Sequence, residues 1–258
     1  MARGAALITG ASSGIGAEFA KLCAADGYDL ILVARRAPRL RELADELAQR
    51  HGIAARIVAA DLSDPLAPDT IFHTCSNDRV EILINNAGLG VHGRFAETNW
   101  HEEERLLRVN IEALVRLTKL FLPEMEKRRS GRVLNVASTA AFVPGPLMAL
   151  YYASKSFVVS FSLALANEMS GTGVSVTVLS PGPTRTEFDA AAGISGSRLF
   201  QGPVMSATAV AREGYVAMMA GKPEHIAGAR NRWMIRSTKL APRTVLARLA
   251  RRLHSSVQ

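Results

Sequence analysis

A single-domain α/β fold, with a doubly wound parallel sheet and helices on both faces, is what this 258-residue sequence predicts. Three observations predict it. Short apolar, β-rich runs alternate with helical patterns along the chain. The runs are largely apolar on both faces, as expected of parallel strands covered on two sides. A glycine-rich turn, Gly10-Ala11-Ser12-Ser13-Gly14-Ile15-Gly16, joins the first run to the first helical pattern.

The strand-like runs are residues 5–9, 30–34, 55–60, 80–85, 132–137 and 174–180. Helical patterns fall between them at residues 14–25, 38–51, 66–76, 100–129 and 150–170. Asn99, with Glu102 to Glu104 after it, reads as a helix start, where acids suit the positive end of the dipole. Strict alternation implies right-handed crossovers and a Rossmann-like sheet. Residues 181–204 are rich in Gly, Pro and Ala and read as a mobile loop. A further helix at 206–220 is closed by Gly221. The expected division is a cofactor-binding and catalytic core at 1–180, a substrate loop and helix at 181–224, and a basic segment at 225–258.

Composition narrows the class. The hydrophobic share is 48% and the charged share 21%, ordinary for a globular core with a solvated surface. Cys23 and Cys75 form no CxxC pair, so a reduced, cytoplasmic setting is expected. No signal peptide and no run of eighteen apolar residues is visible, so neither secretion nor a membrane span is expected. The net charge is +8, from 31 basic and 23 acidic residues. Eight of the basic residues and no acid lie from His225 onward, so the rest is neutral. Histidines are scattered and no metal-binding motif exists; no metal is expected.

In an open parallel sheet, ligands bind beyond the carboxyl ends of the strands. The glycine turn lies at such an end, where glycines let backbone N–H groups approach a phosphate at a helix N-terminus. The same residues also satisfy G-x-S-x-G, the nucleophile elbow of hydrolases. Against a hydrolase, the turn follows the first strand, so no earlier strand supplies an oxyanion loop, and no later Asp/His pair stands out. The second strand ends in Arg35-Arg36 with no acid, whereas an NAD-specific site places an acid there for the ribose hydroxyl. Two arginines suit a 2′-phosphate instead; a solvated basic helix start is the plainer reading.

Tyr151 and Lys155 stand at i and i+4 of one helical pattern and share its face. A tyrosine titrates near pH ~10, and a neighbouring ammonium favours the phenolate, so the lysine is expected to lower that value. Tyr152 points about 100° away, which suits packing. Ser138 follows the fifth strand at the same carboxyl edge, where it could bond a substrate oxygen or cap a turn. Asn110 sits inside the long 100–129 pattern, an unfavourable place for asparagine unless it has a specific bond.

Taken together, these motifs resemble the short-chain dehydrogenase/reductase family over about residues 5–186, in its branch of ketoacyl and hydroxysteroid reductases. The resemblance implies the following roles. Gly10, Ser12, Ser13, Gly14, Ile15 and Gly16 form the nucleotide-binding turn. Arg35 and Arg36 mark NADP(H) preference over NAD(H). Asp61, with Leu62, contacts adenine. Asn86, Ala87 and Gly88, in the Asn85-Asn86-Ala87-Gly88 motif, lie near the adenine ribose. Tyr151 is the general acid/base, Ser138 positions the carbonyl, Lys155 tunes the phenol and binds ribose, and Asn110 holds a relay water. Pro181 and Gly182 lie beside the nicotinamide, with Thr184 and Thr186 near its amide and phosphate.

The expected activity is thus NADP(H)-dependent hydride transfer to a carbonyl or from a secondary alcohol, in a homodimer or homotetramer. Leu89, Val91, Ala140, Phe142, Val143, Pro144, Leu147, Met148 and Phe188 surround the expected site and suit a lipophilic substrate. A catalytically idle nucleotide sensor on the same fold is the alternative. In the basic tail, Leu246, Leu249 and Leu253 share a helical face over 242–253, which suits either peripheral contact with an anionic membrane or packing on the protein itself. One aromatic, Trp233, is too few for a stacking array, so nucleic acid is not expected.

Overall fold

The structure is a computed structural model and describes residues 3–194, 196–197, 204–238 and 240–254. Its centre is a seven-stranded parallel sheet in the order β3-β2-β1-β4-β5-β6-β9. The strands are β1 Ala5–Thr9, β2 Asp29–Ala34, β3 Ala55–Ala59, β4 Val80–Asn85, β5 Gly131–Val136, β6 Val174–Ser180 and β9 Glu224–Ile226. The chain runs outward from β1 to β3, then returns to lay β4 on the other side of β1. That reversal opens a crevice at the carboxyl ends of β1 and β4, where such folds bind ligands.

The two-sided apolar pattern is explained by burial on both faces. Ala6 and Ile8 of β1 join one cluster, with Phe19 of α1 (Gly14–Ala25), Leu40 and Leu47 of α2 (Ala37–His51), and Met218 of α8 (Ala207–Met219). Ala5 and Leu7 point the other way. They join Ile71 of α3 (Ala67–Thr74) and Leu117 and Met125 of α5 (Leu114–Arg128). The alternation of neighbours between faces follows from the two-residue strand period. α8 lies close to the sheet: a Cβ on Gly214 would come within 2.5 Å of Leu179.

The long 100–129 pattern is not one uniform helix. α4 (Trp100–Leu107) passes into a π-helical segment, Arg108–Ala113, before α5 begins. Asn99 does start it, its Oδ1 accepting from His101 N at 2.9 Å. The sheet has a seventh strand, β9, which a three-residue run does not announce, and the boundary expected at residue 224 falls inside it. Within the expected loop, Thr184–Arg185 (β7) pairs with Met205–Ser206 (β8), and Glu187–Ala191 forms α7. Residues 195, 198–203 and 239, part of that loop and of the basic tail, lie outside the described residues. α6 (Ala149–Glu168) is long and apolar enough to cross a membrane by length and composition. Here it packs on β6 and carries Tyr151 and Lys155. α9 (Ala229–Thr238) and α10 (Arg243–His254) complete the described chain.

Candidate active site

The glycine turn is tied to the end of β4 from both sides. Thr9 Oγ1 donates to Ile84 O and accepts from the backbone N of Asn86 and Ala87, each at 3.0 Å. Asn86 Nδ2 donates back to Thr9 O at 2.9 Å and to Gly10 O at 3.3 Å. A side chain at Gly16 would strike the Gly10 carbonyl, and Gly10 has φ +66, so these two positions need glycine. Below the crevice, Asn85 Nδ2 donates to Thr118 Oγ1 at 3.0 Å and Asn135 Oδ1 at 2.9 Å, and Asn135 Nδ2 donates to Ser162 Oγ at 2.9 Å. This buried chain locks β4 and β5 to α5 and α6.

These parts frame a cleft of about 730 Å³. Along it lie Gly10, Ser12, Ser13, Gly14, Ile15, Arg35, Arg36, Asp61, Leu62, Asn86, Ala87, Gly88, Pro181, Gly182, Thr184 and Thr186, together with Ser138, Tyr151 and Lys155. Gly16 and Asn110 do not line it. Of the apolar residues expected around the reacting end, Leu89, Ala140, Val143, Met148 and Phe188 line the cleft; Val91, Phe142, Pro144 and Leu147 do not.

The cleft suits a nicotinamide dinucleotide. No side chain caps the N-terminus of α1, so its first N–H groups are left for an anion. Arg36 Nη2 donates to Ser12 Oγ and Ser13 Oγ, each at 3.0 Å, which holds the guanidinium beside the glycine turn. Arg35 Nη1 lies 4.0 Å from Asp61 Oδ2. Burial would raise the Asp61 carboxyl, but the Ser63 hydrogen bonds, Arg35 and Arg105 hold it below its usual value.

One acid escaped the sequence reading. Glu187, on α7, accepts from Arg39 and lies 2.6 Å from Arg36 Nη1. Hydrogen bonds from Arg39 and then Arg36 depress its carboxyl to about 2. No strand-end signal could reveal it, because 151 residues separate Glu187 from Arg36 and only tertiary folding brings them together.

The acid/base group is assembled by β5, α6 and the π segment. Ser138 begins a 3₁₀ turn, Thr139–Phe142, and its Oγ accepts from Ala140 N at 3.1 Å. It also bonds the Tyr151 phenol. Lys155 is 5% exposed; its Nζ donates to Val136 O at 2.9 Å and lies 5.8 Å from the Tyr151 ring centre. The ionisation differs from expectation. Burial pushes the Tyr151 phenol up to about 12, against the opposing bond from Ser138, and burial pushes the Lys155 ammonium down to about 8. Desolvation leads both shifts, so the phenol stays protonated near neutrality. Tyr152 is 8% exposed and its ring covers Gly145, where a Cβ would overlap it.

Asn110 is buried, and its side chain is spent on protein. Oδ1 accepts from Leu89 N at 2.8 Å; Nδ2 donates to Leu89 O at 3.0 Å and Ser154 Oγ at 3.1 Å. It therefore fastens the Gly88–Leu89 backbone to α6. Ser154, not anticipated from sequence, is its partner. A Cβ on Gly88 would lie in ordinary contact with Lys155 Nζ at 3.4 Å and Asn110 Oδ1 at 3.5 Å, so Gly88 borders both side chains. The chain turns into α6 through Leu147, at φ +71, a costly conformation for a bulky side chain. Its carbonyl accepts from Gly93 N at 2.8 Å, joining that turn to the 88–93 loop.

A doubly wound sheet with a glycine-turn cleft and a Ser–Tyr–Lys group defines a nucleotide-binding oxidoreductase class. Residues 4–194 match the family model for short chain dehydrogenases, and the chain belongs to that family. It is 37% identical over 179 residues to 17-beta-hydroxysteroid dehydrogenase type 3 of Mus musculus, covering 68% of this chain and 58% of that one. It is 40% identical over 177 residues to the very-long-chain 3-oxoacyl-CoA reductase of Phaeosphaeria nodorum, covering 66% and 52%. The chain thus spans little more than half the length of these curated relatives. Among solved structures, a short-chain dehydrogenase from Sphingobium yanoikuyae in complex with NADPH superposes with a TM-score of 0.82 at 34% identity, covering 92% of this chain and 93% of that one.

Proposed function

We propose that this protein is an NADP(H)-dependent oxidoreductase that interconverts a lipophilic ketone and its secondary alcohol. The observation that carries the reading is the convergence of Ser138, Tyr151 and Lys155 at the wall of a cleft that also holds the glycine turn. When bound, the nicotinamide dinucleotide supplies or accepts the hydride. Ser138 Oγ and the Tyr151 hydroxyl donate hydrogen bonds to the substrate oxygen. In reduction, Tyr151 gives that oxygen its proton as it becomes a hydroxyl. The Lys155 ammonium offsets the phenolate left behind, and Asn110 holds the neighbouring backbone in place.

Preference for NADP(H) rests on Arg35 and Arg36 at the end of β2. A lipophilic substrate is supported by the apolar wall around Tyr151, formed by Met148, Tyr152 and Phe188 with Ala140, Val143, Ala192 and Ile194. The mouse and fungal relatives carry names that point to a steroid and a very-long-chain acyl thioester. The same reading makes the protein a cytoplasmic homodimer or homotetramer. Phe157, 40% exposed and stacked on Phe161 at 5.8 Å, offers α6 an apolar surface for a second copy.

The test is a panel of ketones and aldehydes with NADPH and, separately, NADH. NADPH oxidation with lipophilic ketones, well above that with NADH, is the expected result. Tight NADPH binding with no turnover across the panel would instead support an idle nucleotide sensor. Sedimentation of the protein gives the oligomer, and a monomer would contradict that part of the reading.

A further inference from the structure

The apolar stripe of α10 faces the cleft. Leu246, Leu249, Ala250 and Leu253 recur at helical spacing, and all four line it. Arg248 and Arg251 fall on the opposite side of the helix. Protein atoms complete the burial of only one of the four: Ala250 is 6% exposed, but Leu249 is 54% and Leu253 37%. A twelve-residue helix does not hold itself together in water; it needs its apolar face covered. The cleft that receives this face also contains Met148, Tyr152, Phe188 and Ile194, the apolar surface around Tyr151. α9 contributes Met234 and Ile235 to the same cleft. The leucines therefore border an open gap that also exposes these apolar side chains, beside the polar Arg230, Asn231 and Thr238 of α9.

We infer that α10 is the outer wall of the substrate chamber, and that Leu246, Leu249 and Leu253 select for an extended lipophilic carbonyl substrate whose apolar body completes the burial of this helix. This deepens the function proposed above and rests on it for the word substrate. A small polar carbonyl would reach Ser138 and Tyr151 but leave the leucines wet. A substrate with a long or polycyclic apolar body would cover them and gain in proportion to the area removed from water. Selection then lies in a helix far along the chain from the reacting group. The arginines opposite the stripe play no part in it.

Prodan, an environment-sensitive aryl alkyl ketone, serves as the probe, because its emission shifts to the blue in an apolar site whether or not it is reduced. The full chain is saturated with NADPH and titrated with prodan. The comparison is between wild type, Leu246→Ser/Leu249→Ser/Leu253→Ser and the outer-face control Arg248→Ser/Arg251→Ser. Thermal melting and NADPH binding monitor folding; Leu249→Ser alone, at a half-exposed position, decides the matter if the triple variant does not fold. The expected result is a blue-shifted complex with wild type and the control, and a Kd about tenfold or more higher for the triple variant, the scale of lost apolar burial. Leu249→Ser alone should weaken binding in the same direction. Equal binding by wild type and the inner-face variants, an equal loss in the control, or no binding by wild type would overturn the inference. Reduction of prodan is followed separately: binding that obeys this pattern without turnover would leave the wall standing and defeat the proposed reaction instead.

Discussion

Lys155 Nζ is anchored on the Val136 carbonyl at 2.9 Å, so the ammonium is held by the end of β5 and not by the Tyr151 phenol. Burial there depresses it to about 8. The charged form therefore prevails below that pH and is lost above it. If Lys155 assists cofactor binding, kcat/KM for NADPH, which reports groups in the free protein, should be level below pH 8 and fall above it. Lys155→Met should be low and flat across the same range. A wild-type profile level through pH 10 would contradict the assignment.

Glu187 competes for Arg36. In Arg36→Ala and in Arg35→Ala, NADPH affinity should fall about tenfold or more, the scale of a charge-assisted bond to phosphate, with NADH little changed. Glu187→Gln frees Arg36 and removes a carboxylate from the phosphate's surroundings. NADPH should then bind about two- to fivefold more tightly, consistent with an exposed ion pair. Fluorescence titration of both cofactors checks each variant. Loss of NADPH binding in Glu187→Gln would show that the ion pair builds the site and does not compete with it.

Asn110 holds the Gly88–Leu89 backbone by a donor and an acceptor. Asn110→Ala leaves the Leu89 N–H and C=O without their side-chain partner and should cost about 1–3 kcal/mol of stability. Turnover should fall as well, because Gly88 borders Lys155. Denaturant melts and ketone reduction measure the two effects. Unchanged stability would mean that water replaces the side chain.

Much of this was legible in the sequence, for physical reasons. Strands buried on both faces carry largely apolar runs, and β1, β4 and β6 begin and end where those runs do. The glycine turn shows itself because Gly10 and Gly16 stand where side chains do not fit. What escaped depends on tertiary contact. β9 has three residues and pairs only because β6 is there to receive it. The π segment carries Asn110 and its bonds to Leu89 and Ser154, which no helical period announces. Glu187 reaches Arg36 from another part of the fold. The leucine stripe of α10 was visible, but its direction was not, since amphipathicity specifies a face and not its partner. Burial, which raises the Tyr151 phenol and lowers the Lys155 ammonium, likewise depends on the tertiary fold.

In the proposed reaction Tyr151 delivers the proton. Tyr151→Phe keeps the ring and its contacts with Tyr152 and Phe188. The decisive measurement is stopped-flow NADPH oxidation with a lipophilic ketone, beside NADPH titration of the same samples. Tyr151→Phe should lose about 10²- to 10⁴-fold in rate, as expected when a general acid is removed, and should bind NADPH like wild type. Tyr152→Phe should stay within a few-fold. A Tyr151→Phe protein that turns over at the wild-type rate, or a Tyr152→Phe protein that is the inactive one, would contradict the account.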